Sequence, residues 1–383
     1  MLLAHLAIAG IAAATGPLAP AEGLVRVILN RIGGVSSVEI RADEGLDLFL
    51  PNASEPAQEV KGGAPVQFRA NGDRLEAGSL KAAEVVALPK GRTIEVKGKA
   101  QGTYRGRLRL RAEKGVVVVV NELGLEAYLM GVLASEMPPS FAPEALKAQA
   151  IAARTYTLSR MAGRAAALYD LDDTTSSQTY LGTAGERPQT NEAVRLTSNL
   201  VLLYEGAPIQ ALYCTVSGGV TAGNEEAFGG TPLPYLRPIQ DLDESGSPYG
   251  AWSPHFQWEA LLTDYPGLGA LKRVEILERT PSGRAKRVRL VGAGGSLTVS
   301  GTEFRTRVGV NRVRSLLIDE AIPGSQGVLI RGRGWGHGVG LCQAGAQGRA
   351  LAGQSYQQIL EAYYPTAKLT FLPNPVLVAR GKS

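Results

Sequence analysis

Cysteine and large aromatic residues are scarce: the 383-residue chain has two cysteines, three tryptophans and seven phenylalanines. Two cysteines exclude a small scaffold held by a dense disulfide framework. Blocks of like charge are missing too. With hydrophobic residues at 44% and charged residues at 20%, the composition is that of a folded chain, not a disordered or collagen-like one. Beyond the first 21 residues no stretch is long and apolar enough for a spanning helix, so no stable membrane span is expected. What abounds is glycine, 47 residues, which points to many turns, close backbone approaches and few long helices. The net charge of +5 reads as a mild excess spread along the chain. It suits a carboxylate-bearing or polyanionic partner, and no nucleic-acid partner is expected.

Residues 1–21 contain no Lys, Arg, Asp or Glu and end in Ala19-Pro20-Ala21, the small-residue pattern a signal peptidase reads. A cleaved signal is expected there, placing the mature protein in the periplasm, the cell wall or the medium. The start of the segment lacks positive charge, so a buried N-terminal segment is the alternative.

The rest reads as an α+β protein. Short alternating runs from 22 to 115, among them Leu24 to Leu29, Val38 to Ile40, Thr93 to Val96 and Arg107 to Arg111, are separated by Gly and Pro clusters and predict a β-rich N-terminal region. It carries no acid pair, His cluster or phosphate loop, and reads as a packing or substrate-guiding platform. A mixed α+β catalytic domain is expected over 116–372, with an inserted α+β lobe at about 270–320 and a tail at 373–383. Val116 to Val120 predict a core strand. One helix is expected over Leu125 to Glu136, stopped because Pro138 biases Met137 away from helical geometry. A longer one opens at Pro143 and runs to about Met161.

Glu136 stands out as an acid. A carboxylate at a helix C-terminus faces the negative end of the dipole, and the apolar neighbours Leu133, Met137 and Phe141 add desolvation; both raise its pKa toward that of a general acid. On the longer helix, Lys147 and Arg154 share one stripe, and Gln149 and Tyr156 another. Arg331 to Gly340 alternates with glycine but satisfies neither dinucleotide nor P-loop spacing; it suits an extended ligand lying along a bare backbone. His337 in that run, Cys342 and Cys214 leave a zinc set open, though three ligands from distant segments make a sparse one. Cys214 and Cys342 read equally as a disulfide or as two unlinked thiols. As a thiol nucleophile Cys214 lacks a helix start directly after it to activate it.

Taken together, Glu126-Ala127-Tyr128-Leu129-Met130-Gly131-Val132, Ser135-Glu136-Met137-Pro138, Glu144 through Tyr156, Asp173-Thr174-Thr175 with Gln178 and Tyr180, Ser217-Gly218-Gly219, and Gly334 through Gly340 with Gln343 resemble the SpoIID/LytB family. The blocks keep their order over about 250 residues. The resemblance implies a peptidoglycan lytic transglycosylase acting on glycan strands stripped of their peptides, with Glu136 as catalytic glutamate. It further implies substrate contacts from Lys147, Gln149, Arg154, Tyr156, Gln178, Tyr180, Ser217, Gly218, Gly219, His337 and Gln343, with Lys147 or Arg154 on the lactyl carboxylate of muramic acid. Zinc-holding members of the family use a cysteine with a nearby histidine; no histidine follows Cys214 within its block, so no cofactor is expected, with zinc on Cys214, His337 and Cys342 the alternative left open. A peptidoglycan amidase is a candidate partner, and a wall-binding activator of such an amidase is the non-catalytic alternative.

Overall fold

The computed structural model describes residues 23–241, 247 and 250–380. The expected signal at 1–21 and the last residues of the expected tail lie outside them. The chain is mixed α+β as expected, 25% helix and 36% strand, and divides into two compact units: Met1–Pro138 with Arg160–Arg195 and Pro373–Ser383, and Pro139–Ser159 with Leu196–Leu372.

In the first unit, a seven-stranded sheet runs in the order Leu171–Asp172, Val25–Ile28, Val116–Leu123, Arg107–Glu113, Glu84–Pro89, Leu46–Phe49, Gln58–Val60. A six-stranded sheet, whose strands include Ser37–Arg41, Val66–Asn71 and Thr93–Lys97, packs against it. Alternate residues such as Val38, Ile40, Phe68, Ile94 and Val96 on one sheet, and Val85, Leu110, Val117 and Val119 on the other, are buried, the period-two pattern of sheets that share a core. The valine run is an interior strand, antiparallel to Val25–Ile28 on one side and to Arg107–Glu113 on the other. This corrects the expected domain boundary at residue 115. Lys114 and Gly115, both at positive φ, turn a hairpin there, and the ladder of the seven-stranded sheet runs straight across it. The unit is also tied by Asp170, fully buried between Arg26 and Arg380 at 2.7 and 2.8 Å.

Helix α1, Leu125–Glu136, has the expected ends: Met137 is extended, at φ −136° and ψ 134°. Helix α2, Pro143–Met161, is buried along Ala145, Ala148, Ala150, Ile151, Ala152 and Ala153. Small side chains let neighbours approach its backbone, and Thr155 Oγ1 accepts the Leu202 N–H at 3.0 Å.

In the second unit, a three-stranded sheet, Leu200–Tyr204 between Ala207–Pro208 and Lys368–Phe371, accompanies a short parallel pair, Tyr213–Cys214 with Leu341–Cys342. The inserted lobe is larger than 270–320. Its core runs from Trp252 and Phe256 to Val328 and Ile330, because Ala251–Trp252 and His255–Gln257 both pair with Gly327–Arg333 and so close the lobe on itself. Within it lie the sheet Leu271–Arg279, Ala285–Gly292, Gly295–Ser300 and the helix Gly301–Val308.

Candidate functional site

Glu136 is the last residue of α1 and only partly accessible. Burial raises its pKa above the ordinary 4.5, while hydrogen bonds from the Thr179 backbone and hydroxyl pull it back down. The Thr179 N–H donates to Glu136 Oε1 at 2.7 Å. The segment that delivers this donor is clamped on both sides. Before it, Gln178 is fully buried and its Oε1 accepts the Tyr128 hydroxyl at 3.1 Å. After it, the buried Tyr180 hydroxyl donates to Asn121 Oδ1 at 2.8 Å, and Asn121 Nδ2 donates to the Arg105 and Arg107 carbonyls at 2.9 and 3.1 Å. The Tyr180 ring lies 5.1 Å from Tyr128 and 5.7 Å from Tyr104, centroid to centroid. Gly131 makes room for it: a Cβ there would stand 2.5 Å from the Tyr180 ring and 2.9 Å from the Gly182 carbonyl oxygen.

Gln178 and Tyr180, expected to line a groove, are therefore interior side chains that position Thr179. Thr179 and Asn121 were not among the expected site residues. Thr179 contributes a backbone N–H, which no residue type announces, and Asn121 reads as the polar end of a valine run; a buried asparagine after five valines was the only available signal.

The residues expected on α2 are mostly committed within the fold. Arg154 is wholly buried, its guanidinium donating to Thr197 Oγ1 at 3.4 Å and to the Leu200 carbonyl at 3.2 Å, so it reaches no solvent from there. Lys147 pairs with Glu144 and lies over the Tyr356 ring at 5.7 Å. Tyr156 meets Tyr213 edge-on at 6.4 Å. Gln149 is fully buried and neither polar atom of its amide bonds a described protein group, a costly arrangement for a buried amide.

Ser217 is also interior. Its hydroxyl donates to the buried Asp241 at 3.2 Å, and Asp241 accepts the Tyr363 hydroxyl at 2.8 Å. Gly218 and Gly219 follow at φ 86° and 95°, a conformation other residues avoid; at Gly218 a Cβ would also press on Leu317 at 2.7 Å. Gln343 is buried as the first residue of the helix Gln343–Leu351. His337 is partly accessible, with Nδ1 accepting the Val339 N–H at 3.0 Å. Burial, then Arg305 and Arg284, lower its pKa to about 4, so the imidazole is neutral at physiological pH.

Cys214 and Cys342 are buried thiols not joined as a disulfide, in register on the parallel pair. The Cys342 sulfur caps a helix, accepting the N–H groups of Ser217 and Gly345, each at 3.3 Å. Cys214 ends a two-residue strand, away from any helix start. Among the described residues no group of three or more His, Cys, Asp or Glu side chains converges as a metal set.

Comparison with known proteins adds to this geometry. Residues 113–204 match the model of a family described as stage II sporulation protein. Over 271 residues the chain is 31% identical to the stage II sporulation protein D of Bacillus subtilis, covering 66% of this chain and 76% of that protein. The chain belongs to the stage II sporulation protein D family. An uncharacterised protein of Brachyspira hyodysenteriae is 32% identical over 268 residues, 68% of this chain and 70% of its own length. An amidase enhancer of Bacillus subtilis is 30% identical over 294 residues, 63% of this chain and 40% of that longer protein. Glu136, the α2 residues, Thr179 and Tyr180 all fall in the segment matched to the sporulation family. Residues 257–340, most of the lobe together with His337, match a domain of unknown function. No helix among the described residues is long and apolar enough to cross a membrane.

Proposed function

We propose that this protein is an exported peptidoglycan lytic transglycosylase cleaving the bond after N-acetylmuramic acid in peptide-free glycan strands. The observation that carries the reading is Glu136: a carboxyl with a pKa raised by burial, held by one backbone donor at the end of a helix. Protonated, it gives its proton to the glycosidic oxygen as the C1–O bond breaks. The carboxylate left behind takes the proton of the same sugar's C6 hydroxyl, whose oxygen closes on C1 to form the 1,6-anhydro ring. No water enters, so one carboxyl serves both steps where hydrolytic glycosidases ordinarily use two. The Thr179 N–H favours the carboxylate form, which keeps the raised pKa from trapping the acid in its protonated state.

The test is mass spectrometry of peptide-free glycan strands incubated with the parent protein and with Glu136→Gln. Anhydro-ended products from the parent alone are expected; release by Glu136→Gln at the parent's rate ends the proposal. The relative named amidase enhancer favours a second reading, a non-catalytic protein that binds wall glycan and stimulates an amidase. In that case neither protein releases sugars, and both raise the activity of a peptidoglycan amidase equally.

A further inference from the structure

The net positive charge is not spread along the chain. Residues 251–333 hold thirteen of the 40 Lys and Arg and seven of the 35 Asp and Glu, so this lobe carries +6 and the remainder −1. Part of that charge gathers beside the glycine run. The Arg314 guanidinium lies 4.6 Å from the Trp335 ring centroid, and the Arg314 carbonyl accepts the Gly336 N–H at 2.9 Å. Arg305 donates to the Val313 and Arg314 carbonyls, both at 2.9 Å. Among the described residues neither Arg305 nor Arg314 has a carboxylate partner. Phe228 stands 60% exposed, its ring 5.2 Å from that of His337.

We propose that Arg314, stacked on Trp335 two residues before the His337 that meets the Phe228 ring, forms a binding site for the carboxylate of an acidic amino sugar, with the aromatic rings taking the sugar faces. A guanidinium covered on one face by an indole keeps its planar edge of N–H donors, the shape that grips a carboxylate with two parallel bonds. The neutral His337 adds polar capacity without charge, its pKa lowered by burial first and then by Arg305 and Arg284. A neutral amino sugar would use the rings and leave Arg314 without a partner. The muramic acid lactyl group, freed when the peptide is removed, supplies the missing anion. The inference takes its ligand class from the proposed function, and it moves carboxylate recognition from Lys147 and Arg154, which have partners in the fold, to the lobe.

Binding is measured with the full chain carrying Glu136→Gln, so that no turnover intervenes. Titration calorimetry compares a peptide-free oligosaccharide of alternating GlcNAc and MurNAc with a chitin oligosaccharide of equal length. The acidic oligosaccharide should bind about tenfold tighter at low salt, an advantage that shrinks as salt is raised. Adding Arg314→Met should bring it down to the chitin value and leave chitin binding unchanged, while Phe228→Ala should weaken both. Circular dichroism and the melting midpoint check that the variants are folded. Undiminished preference for the acidic sugar in folded Arg314→Met overturns the site, as does equal binding of both sugars by the parent, or tighter binding of a single-stranded oligonucleotide than of the acidic sugar. Failure of the transglycosylase reading is seen separately, as the absence of anhydro products from the protein with Glu136 intact.

Discussion

Replacing Gly131 by alanine sets helix propensity against packing. In an open helix the change would stabilise by about 1 kcal/mol. Here the new methyl would stand 2.5 Å from the Tyr180 ring and 2.9 Å from the Gly182 carbonyl oxygen. Neither can step aside cheaply: Tyr180 is buried between Tyr104 and Tyr128 and bonded to Asn121, and the carbonyl belongs to a glycine at φ 60°. Overpacking a rigid site costs about 1–3 kcal/mol or more, and with both neighbours fixed the upper end is expected, a net loss of about 2 kcal/mol after the propensity gain. For a unit of this size that lowers the melting midpoint by about 4–8 °C, read by differential scanning calorimetry as a shift of the transition of the first unit. Glycan cleavage should fall further than stability, because moving Tyr180 moves the adjacent Thr179 N–H away from Glu136. A variant that melts at or above the parent's temperature would refute the close approach of α1 to Tyr180 on which the positioning of Thr179 rests.

Other perturbations probe charge and hydrogen bonding. The Glu136 carboxyl titrates above its ordinary 4.5 in the folded protein, so its stabilising contribution is whole below that value and is lost as pH rises through the raised one. Glu136→Gln, which does not ionise, should therefore be more stable than the parent at neutral pH and equal to it below pH 4.5; identical urea midpoints at neutral pH would contradict this. Asp170→Asn leaves the buried guanidiniums of Arg26 and Arg380 facing a neutral amide, and a loss of about 3–5 kcal/mol in urea unfolding is expected; a loss below about 1 kcal/mol, the range of an exposed pair, would show that solvent reaches them. Tyr180→Phe leaves Asn121 Oδ1 without its Tyr180 donor and should cost about 1–3 kcal/mol by the same assay, no change meaning that another donor takes its place.

Local order was legible where neighbouring residues decide it. Pro138 ends α1 at Glu136. The valine run could only be a core strand, since five β-branched side chains in succession suit a pleated, buried surface and disfavour a helix. The ordered motif blocks carried the family, because they depend on residues next to one another in the chain; the rise in the Glu136 pKa was expected partly from the helix end, and in the structure it comes from burial.

Long-range partners were decided only by the tertiary structure. Arg154 looked like a cation reaching for substrate, and a partner 43 residues away and a strand carbonyl take its donors instead. The Gln178, Tyr180 and Asn121 side chains turn inward because α1 and the seven-stranded sheet have positions for them, and what they hold out to Glu136 is the Thr179 N–H, a group every residue but proline possesses. A sequence records side-chain type and local spacing, enough to fix helix ends and buried strands and to single out Glu136. It does not record which backbone donor arrives beside that acid, or which arginines are left without a carboxylate, because both follow from contacts between residues that only folding brings together.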